Sequence, residues 1–572
     1  MASEERVGQK RKIDKIFWIT VVVCLFAALV FCTRKQGLHE DEYYSYYSTS
    51  RSVGLYIEPN AWKDADSIRN EFEVVPGEGF RYGLVKEVQS WDVHPPVYYW
   101  VLHTVCSCFP GTFSKWSGLA VNLVFYFGCL LLLWRLTVFF WPEAAWNLEK
   151  DGKKSRAEYM LRLLVLVLWG ISPAAISSVL FIRMYVMLTF FLLWTTILHL
   201  KHLDDEVLMR PGFLIPLMLS TYLGFLTQYY FGIYLFFLAA AFCIWRLIRD
   251  RKIRNALLYG ITLVITLILS VITYPSAPGQ MFHGQRGAQA TGSFFDLSNT
   301  WDRIMYFAKL LDSFVFGEVA GILLLIAIWL WVRKASKESA AQKRRAGSAD
   351  DVPHGVSLRE WVCDHSDRCL LWFACIGYFL TVSKTALLLG DSSIRYILPI
   401  APVLWTLVGA GLWRMAQEDE AKSDSGSAGE KRIDRIKKTA VFSGMVLALL
   451  VNVIGLFFGK VLFLYPEAAD RVAFSKAHAN APVIYLYDQG QSWCVWSSTS
   501  ELLCYPKVYF ADVWEKETIT DESIRSATEL VVYLFRTDQD ETALERITES
   551  APGVSEYEME YRDTFCDIYY FH

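Results

Sequence analysis

Three consecutive carboxylates, Glu40, Asp41 and Glu42, stand between His39 and the tyrosines Tyr43, Tyr44, Tyr46 and Tyr47. They follow an apolar run that ends near Thr33, which places them where water meets hydrocarbon. A carboxylate close to low dielectric has its pKa raised, and one that stays ionised beside a hydroxyl can act as a general base. A belt of interfacial tyrosines with snorkelling charges is the plain alternative for the same residues.

A second acidic site, Asp92-Val93-His94-Pro95-Pro96-Val97-Tyr98-Tyr99, follows some fifty positions later. One residue separates Asp92 from His94, so an extended backbone points both to one face. With Asp41 and Glu42 they can line a polar pocket that orients an acceptor hydroxyl or holds a divalent cation. No ligand spacing is diagnostic of metal, and a capping Asp before a Pro-Pro helix start accounts for the same residues without a site.

Cations recur further on: Arg183 in Ile182-Arg183-Met184-Tyr185, Arg395 in Ile394-Arg395-Tyr396, and Lys384. An arginine near hydrocarbon is costly unless paired, and its planar fork suits a phosphate, here a lipid phosphate; snorkelling to headgroups is the alternative. Lys384 joins such a cationic pocket or pairs with Asp391. Gln228-Tyr229-Tyr230 closes another turn and offers ring and hydroxyl surface to a sugar. The stretch Cys363 to Cys369 holds one histidine and has a cysteine gap unlike that of zinc sites, so no metal is expected there.

The elements that must position these groups are apolar. Of 572 residues 53% are hydrophobic, 15% aromatic and only 20% charged, with mean hydropathy +0.26. Runs of roughly 20 apolar residues, enough to cross about 30 Å of hydrocarbon, recur along most of the chain, so it reads as an all-α polytopic membrane protein. Lys+Arg 56 against Asp+Glu 59 leaves a net charge of -3, which gives no case for a nucleic-acid partner. Twelve scattered cysteines, several inside apolar runs, act as small hydrophobes.

Eleven spans are expected, at about 16–33, 118–140, 159–180, 186–200, 213–227, 232–248, 256–274, 317–332, 370–389, 397–414 and 439–464. Arg6, Lys10, Arg11, Lys12 and Lys15 keep the first 15 residues in the cytosol, and the Lys/Arg-rich loops 150–156, 246–254, 333–345 and 431–438 then all fall inside. The odd count puts the C-terminus outside, with the protein in the plasma membrane. Pro95 to Phe109 is too short to span and is expected as an interfacial helix on the outer face.

Two outer regions are too long to be connectors: the loop 34–117 within the core 16–464, and the tail 465–572. The tail alternates strand-like runs (483–487, 507–510, 530–535) with a helical stretch near 541–550, which predicts a small external α/β domain acting as a lid. Cys494 and Cys504 lie within it, paired or free. The stretches 334–357 and 417–438 read as flexible linkers.

Taken together, these motifs resemble those of the membrane-embedded C-type glycosyltransferases that use lipid-phosphate sugars, in the protein O-mannosyltransferase and aminoarabinose-transferase-like branch. The resemblance is carried by Asp41-Glu42 after the first span, Asp92-Val93-His94-Pro95-Pro96-Val97-Tyr98-Tyr99, Arg183-Met184-Tyr185, Gln228-Tyr229-Tyr230-Phe231-Gly232 and Arg395-Tyr396, in that order. It covers roughly residues 16 to 415. Bacterial relatives often carry His where Gln228 stands, which tells against proton transfer at that turn.

The resemblance implies inverting transfer of a sugar from a polyprenyl-phosphate donor to a hydroxyl or amine of a protein, glycan or lipid acceptor on the outer face. Asp41 is then the base, with Glu42 beside it. Asp92, His94, Tyr98, Gln228 and Tyr229 orient acceptor and sugar, and Arg183, Tyr185, Lys384, Arg395 and Tyr396 hold the lipid phosphate. No cofactor or metal is expected. A lipid-sugar flippase and a non-catalytic scaffold of the same fold are the competing classes.

Overall fold

The computed structural model describes residues 14–50, 57–142, 152–205, 210–250, 253–345, 365–417 and 428–572. Every apolar run named above overlaps a helix, but 159–180 is divided between Gly152–Gly170 and Pro173–Leu180, and the runs 370–389 and 439–464 outlast helices that end at Thr385 and Phe457. Asp14 caps the first, Lys15–Arg34, by accepting from Phe17 N–H at 3.1 Å, and Ser114 caps Lys115–Phe140 through Trp116 N–H. Trp18, Val22, Phe26 and Leu29 remain exposed on the first helix, as a lipid-facing side requires.

Among the described residues six helices are long and apolar enough to cross a membrane: Lys15–Arg34, Lys115–Phe140, Tyr230–Arg249, Ile253–Thr273, Asp391–Gln417 and Lys431–Phe457. Two helix pairs qualify only together, one bent by 48° and the other by 90°, while Tyr185–Lys201 and Pro211–Thr227 are shorter. By length and composition the count is therefore six, or eight if each bent pair is one span, against eleven expected. The bends have local causes. Ser172 caps a new helix that opens on Pro173, and Gly317 takes φ 67°, a left-handed turn that closes the preceding helical stretch.

Pro95-Pro96 opens the helix Val97–Ser107, which is buried on most of its length. The two expected linkers are helical where described: 334–345 continues Ala320–Arg345 and 428–438 opens Ala428–Phe457. Their Ala, Lys, Arg, Glu and Gln content favours helix even where no apolar face demands it. Residues 346–357 and 418–427, and Cys363 with Asp364, lie outside the described residues.

The tail forms a sheet, and that sheet takes a strand from the first outer loop. Its strands are β1 (Ala61–Asp64), β2 (Val483–Tyr487), β3 (Lys507–Asp512), β4 (Leu530–Phe535), β5 (Tyr557–Arg562) and β6 (Cys566–Phe571), ordered β1-β3-β2-β4-β6-β5. β2, β3 and β4 are parallel; β1 joins β3 antiparallel with Ala61 opposite Phe510. Alternation divides the side chains between two cores. Val483, Tyr485 and Tyr487 pack with the helical body, whereas Ile484 and Leu486 face a second core with Leu534 and Ile547. One face of the sheet is thereby seated on the helices. Cys494 and Cys504 are both free thiols.

Candidate active site

The helix Glu40–Ser50 carries its three carboxylates in its first turn, where the helix dipole favours negative charge. Successive residues diverge by about 100° around a helix, and the two expected catalytic carboxylates meet different surroundings accordingly. Glu42 is sealed away. Its Oε2 pairs with Lys35 Nζ at 2.9 Å, both side chains 0% exposed, and accepts from His39 N–H at 2.7 Å. Its Oε1 accepts from Ile182 N–H at 2.7 Å. With both oxygens engaged, Glu42 holds structure together and is closed to an acceptor.

Asp41 is 24% exposed and lies between two guanidinium groups, Arg183 Nη2 at 3.8 Å and Arg395 Nη2 at 3.5 Å. Burial raises its pKa, but Arg183 and Arg395 outweigh that and hold the carboxyl well below the usual carboxylate range, so it stays ionised. Arg183 and Arg395 are 3% and 5% exposed. Arg183 also donates to the Asp41 carbonyl at 3.2 Å, and Arg395 to Tyr396 Oη at 3.2 Å. Arg183 Nε and Arg395 Nε and Nη1 are buried without a hydrogen-bond partner among the described residues.

Buried, unsatisfied donors on cations are costly, and two such cations flanking one carboxylate favour a further anion. Aromatic faces shape it. Arg395 lies over Phe181 (5.0 Å) and Tyr396 (5.1 Å), and Arg183 near Tyr44 (5.8 Å) and Tyr99 (6.0 Å). Tyr185 packs edge-on to Tyr396 at 6.0 Å, which puts both expected tyrosines at the arginine pair.

Asp92 and His94 come to the same place. Asp92 Oδ2, His94 Nδ1 and the Tyr99 hydroxyl are buried without partners among the described residues. Burial raises the Asp92 carboxyl against the pull of Arg183, and burial lowers the His94 imidazole well below its ordinary value. Burial thus disfavours the charged form of each beside Arg183 and Asp41.

The turn that carries them is tied down by Gln280. Its Nε2 donates to the carbonyls of Gln89 (2.9 Å) and Asp92 (2.7 Å) and to Tyr274 Oη (2.8 Å), while its Oε1 accepts from Tyr229 Oη at 2.6 Å. Tyr229, expected at the site, thus acts beneath it.

Three expected residues serve elsewhere. Tyr98 directs its hydroxyl to Asn122 Oδ1 at 3.4 Å, inside the helical packing. The Gln228 Oε1 is turned back to accept from Tyr229 N–H at 2.7 Å. Lys384 donates to the Asp296 carbonyl (2.6 Å) and Asn299 Oδ1 (2.7 Å), which rules out the pairing with Asp391 and fastens 296–299 instead.

Sequence reading passed over Gln280, Tyr274 and Tyr99. Gln280 lies in 275–316, itself too long for a connector, and that length is the available signal; Tyr274 closes the expected span 256–274. Lys35 is not marked by the sequence either, and Glu40 only as one of three adjacent carboxylates. Burial pushes the Glu40 carboxyl up to about 7, while burial, against the opposing pull of Asp41, takes His39 down to about 4. His39 Nδ1 accepts from Asp41 N–H at 3.0 Å and lies 3.2 Å from Glu40 Oε2. Among the described residues no three His, Cys, Asp or Glu side chains gather as a metal site.

No protein-family model and no curated protein matches the chain. Solved structures similar to it include ArnT of Cupriavidus metallidurans bound to undecaprenyl phosphate, at 14% identity over 98% of each chain and TM-score 0.49. The same protein in its apo state gives 15% identity, 96% and 97% coverage, and TM-score 0.48. The archaeal oligosaccharyltransferase AglB of Archaeoglobus fulgidus, in complex with an inhibitory peptide and a dolichol-phosphate, gives 11% identity over 95% of this chain and 72% of that one, at TM-score 0.41. At these identities and scores none of the three decides the chemistry, which rests on the site itself.

Proposed function

We propose that the chain is a membrane-embedded glycosyltransferase that moves a sugar, with inversion, from a polyprenyl-phosphate donor to an acceptor hydroxyl or amine at the outer face of the plasma membrane. One observation carries the reading: an ionised, partly exposed Asp41 is bracketed by two buried arginines with unpaired N–H donors. A lone carboxylate needs one cation; the surplus positive charge suits a phosphate.

In the reaction the acceptor oxygen or nitrogen attacks the anomeric carbon as the bond from that carbon to the phosphate oxygen breaks. Asp41 takes the acceptor proton, and the electron pair of the broken bond leaves on the lipid phosphate, stabilised by Arg183 and Arg395. A donor phosphate on the same guanidinium groups also weakens their hold on Asp41, which returns basicity to it when it is needed. Asp92, His94 and Tyr99 receive sugar or acceptor hydroxyls. Glu42, and Tyr229 through Gln280, position these groups from behind, a narrower role than direct contact. The step needs no metal, and loss of activity on chelation overturns that part.

Single-turnover release of lipid phosphate from a panel of polyprenyl-phosphate sugars, with mixed acceptors, tests the reading. Undecaprenyl and dolichyl carriers make a first panel. Turnover by the native protein that is lost in Asp41→Asn supports the transferase; donor bound but consumed by neither turns the reading to a lipid-handling protein.

A further inference from the structure

Lys35 lies one residue beyond the first apolar helix and is fully buried, an expensive place for an ammonium unless its charge is used. Its Nζ donates to Glu42 Oε2 at 2.9 Å and to the Phe463 carbonyl at 2.7 Å. Glu42 in turn joins two turns of chain that have nothing to do with one another in sequence. One oxygen takes the N–H of His39, whose ring accepts from Asp41 N–H; the other takes the N–H of Ile182, next to Arg183. The helix and the arginine turn are also bonded by Ser45 Oγ to the Ile182 carbonyl at 2.9 Å.

We infer that Lys35 is a positioning residue: by keeping Glu42 ionised as a two-sided acceptor, it sets the separation of Asp41 from Arg183, and so of the base from the departing phosphate. The inference rests on the transferase reading above and deepens it.

The charge logic is specific. A buried Glu42 without its cation takes up a proton, and a protonated carboxyl has one acceptor oxygen fewer for two N–H groups. The turn bearing Asp41 and the turn bearing Arg183 then lose the carboxylate that fixes their spacing and are left with the bonds from Ser45 Oγ to the Ile182 carbonyl and from Arg183 to the Asp41 carbonyl. Phe463 extends the device to the chain that leads into the tail: Gln36 N–H donates to the Leu464 carbonyl at 2.8 Å, and a Cβ on Gly37 would meet Ala468 Cβ at 2.8 Å. The loop bearing the base is thus clamped between the arginine turn and the start of the external domain.

The test compares native protein, Lys35→Met, Lys35→Arg and Glu42→Gln in detergent or nanodiscs, reading kcat, KM for the polyprenyl-phosphate sugar, polyprenyl-phosphate binding and unfolding temperature. Displacement of about 1 Å at a reacting group costs about 100-fold in rate. Lys35→Met and Glu42→Gln are expected to lose kcat on that order with donor binding kept within about threefold, since both arginines remain, while Lys35→Arg restores most of it. Native kcat in Lys35→Met overturns the inference and leaves the transferase standing. Parallel loss of kcat, binding and unfolding temperature, with no rescue by Lys35→Arg, makes Lys35 merely structural and also overturns it. A native protein that consumes no donor sinks the function, and this inference with it.

Discussion

At Asp41 the two duties of the residue conflict: it is the proposed base, yet it competes with the donor for Arg183 and Arg395. Asp41→Asn removes the competitor along with the base. Turnover is expected to fall by about 10²–10⁴-fold, while inorganic or lipid phosphate binds as tightly as before or more tightly, as titration calorimetry can show. Weaker binding in the variant would mean that Asp41 organises the arginines and does not merely neutralise them. Glu40 gives a second residue-scale expectation. Its folded-state pKa is raised to about 7, so the stability it contributes is complete below its ordinary value of 4.5 and is lost as pH rises through about 7. A shift of that size is worth up to about 3 kcal/mol. Glu40→Gln should therefore unfold like the native protein at pH 4 and at higher temperature than native at pH 8, and equal unfolding temperatures at pH 8 would refute the raised pKa.

Elements place these residues through a few polar knots, and Gln280 ties one of them. It joins the turn after Tyr82–Ser90 to the turn that opens Tyr230–Asp250, and both to Tyr274. Gln280→Leu keeps the volume but takes the side-chain donor from the Asp92 carbonyl and the acceptor from Tyr229 Oη, each loss costing about 1–3 kcal/mol, while the Gln89 carbonyl keeps the Asp92 N–H. The expected result is a kcat/KM about 100-fold lower, because the Asp92 and His94 turn is released. An unchanged kcat/KM would show that this turn is held from elsewhere. This scale was only partly legible in sequence. Asp92-Val93-His94-Pro95-Pro96 announces a turn and a helix start by its chemistry. Nothing local in Gln280 marks it out, since its meaning lies in four partners from three other segments.

Across the whole molecule the loop after the first helix and the tail form one body. β1 completes the tail's sheet, Tyr43 Oη meets Ser500 Oγ at 2.5 Å, and Tyr44 and Tyr47 pack on Trp496 at 5.5 and 5.1 Å. If that body faces outward, Cys108, the exposed free thiol at the end of Val97–Ser107, should react with a membrane-impermeant maleimide on intact cells, and the half-buried Cys369 only after permeabilisation. The reverse pattern would invert the topology. Sequence by itself determined where the apolar helices lie, three of the tail's five strands and the residue types available for chemistry, because hydrophobic period, caps and charge are local quantities. Only the tertiary structure decided that Asp41 is open while its neighbour Glu42 is sealed, that Lys384 stands apart from the arginine pair, and that a loop strand belongs to the tail's sheet. Each of these depends on which distant segment packs against a given face, and no neighbouring residue encodes that.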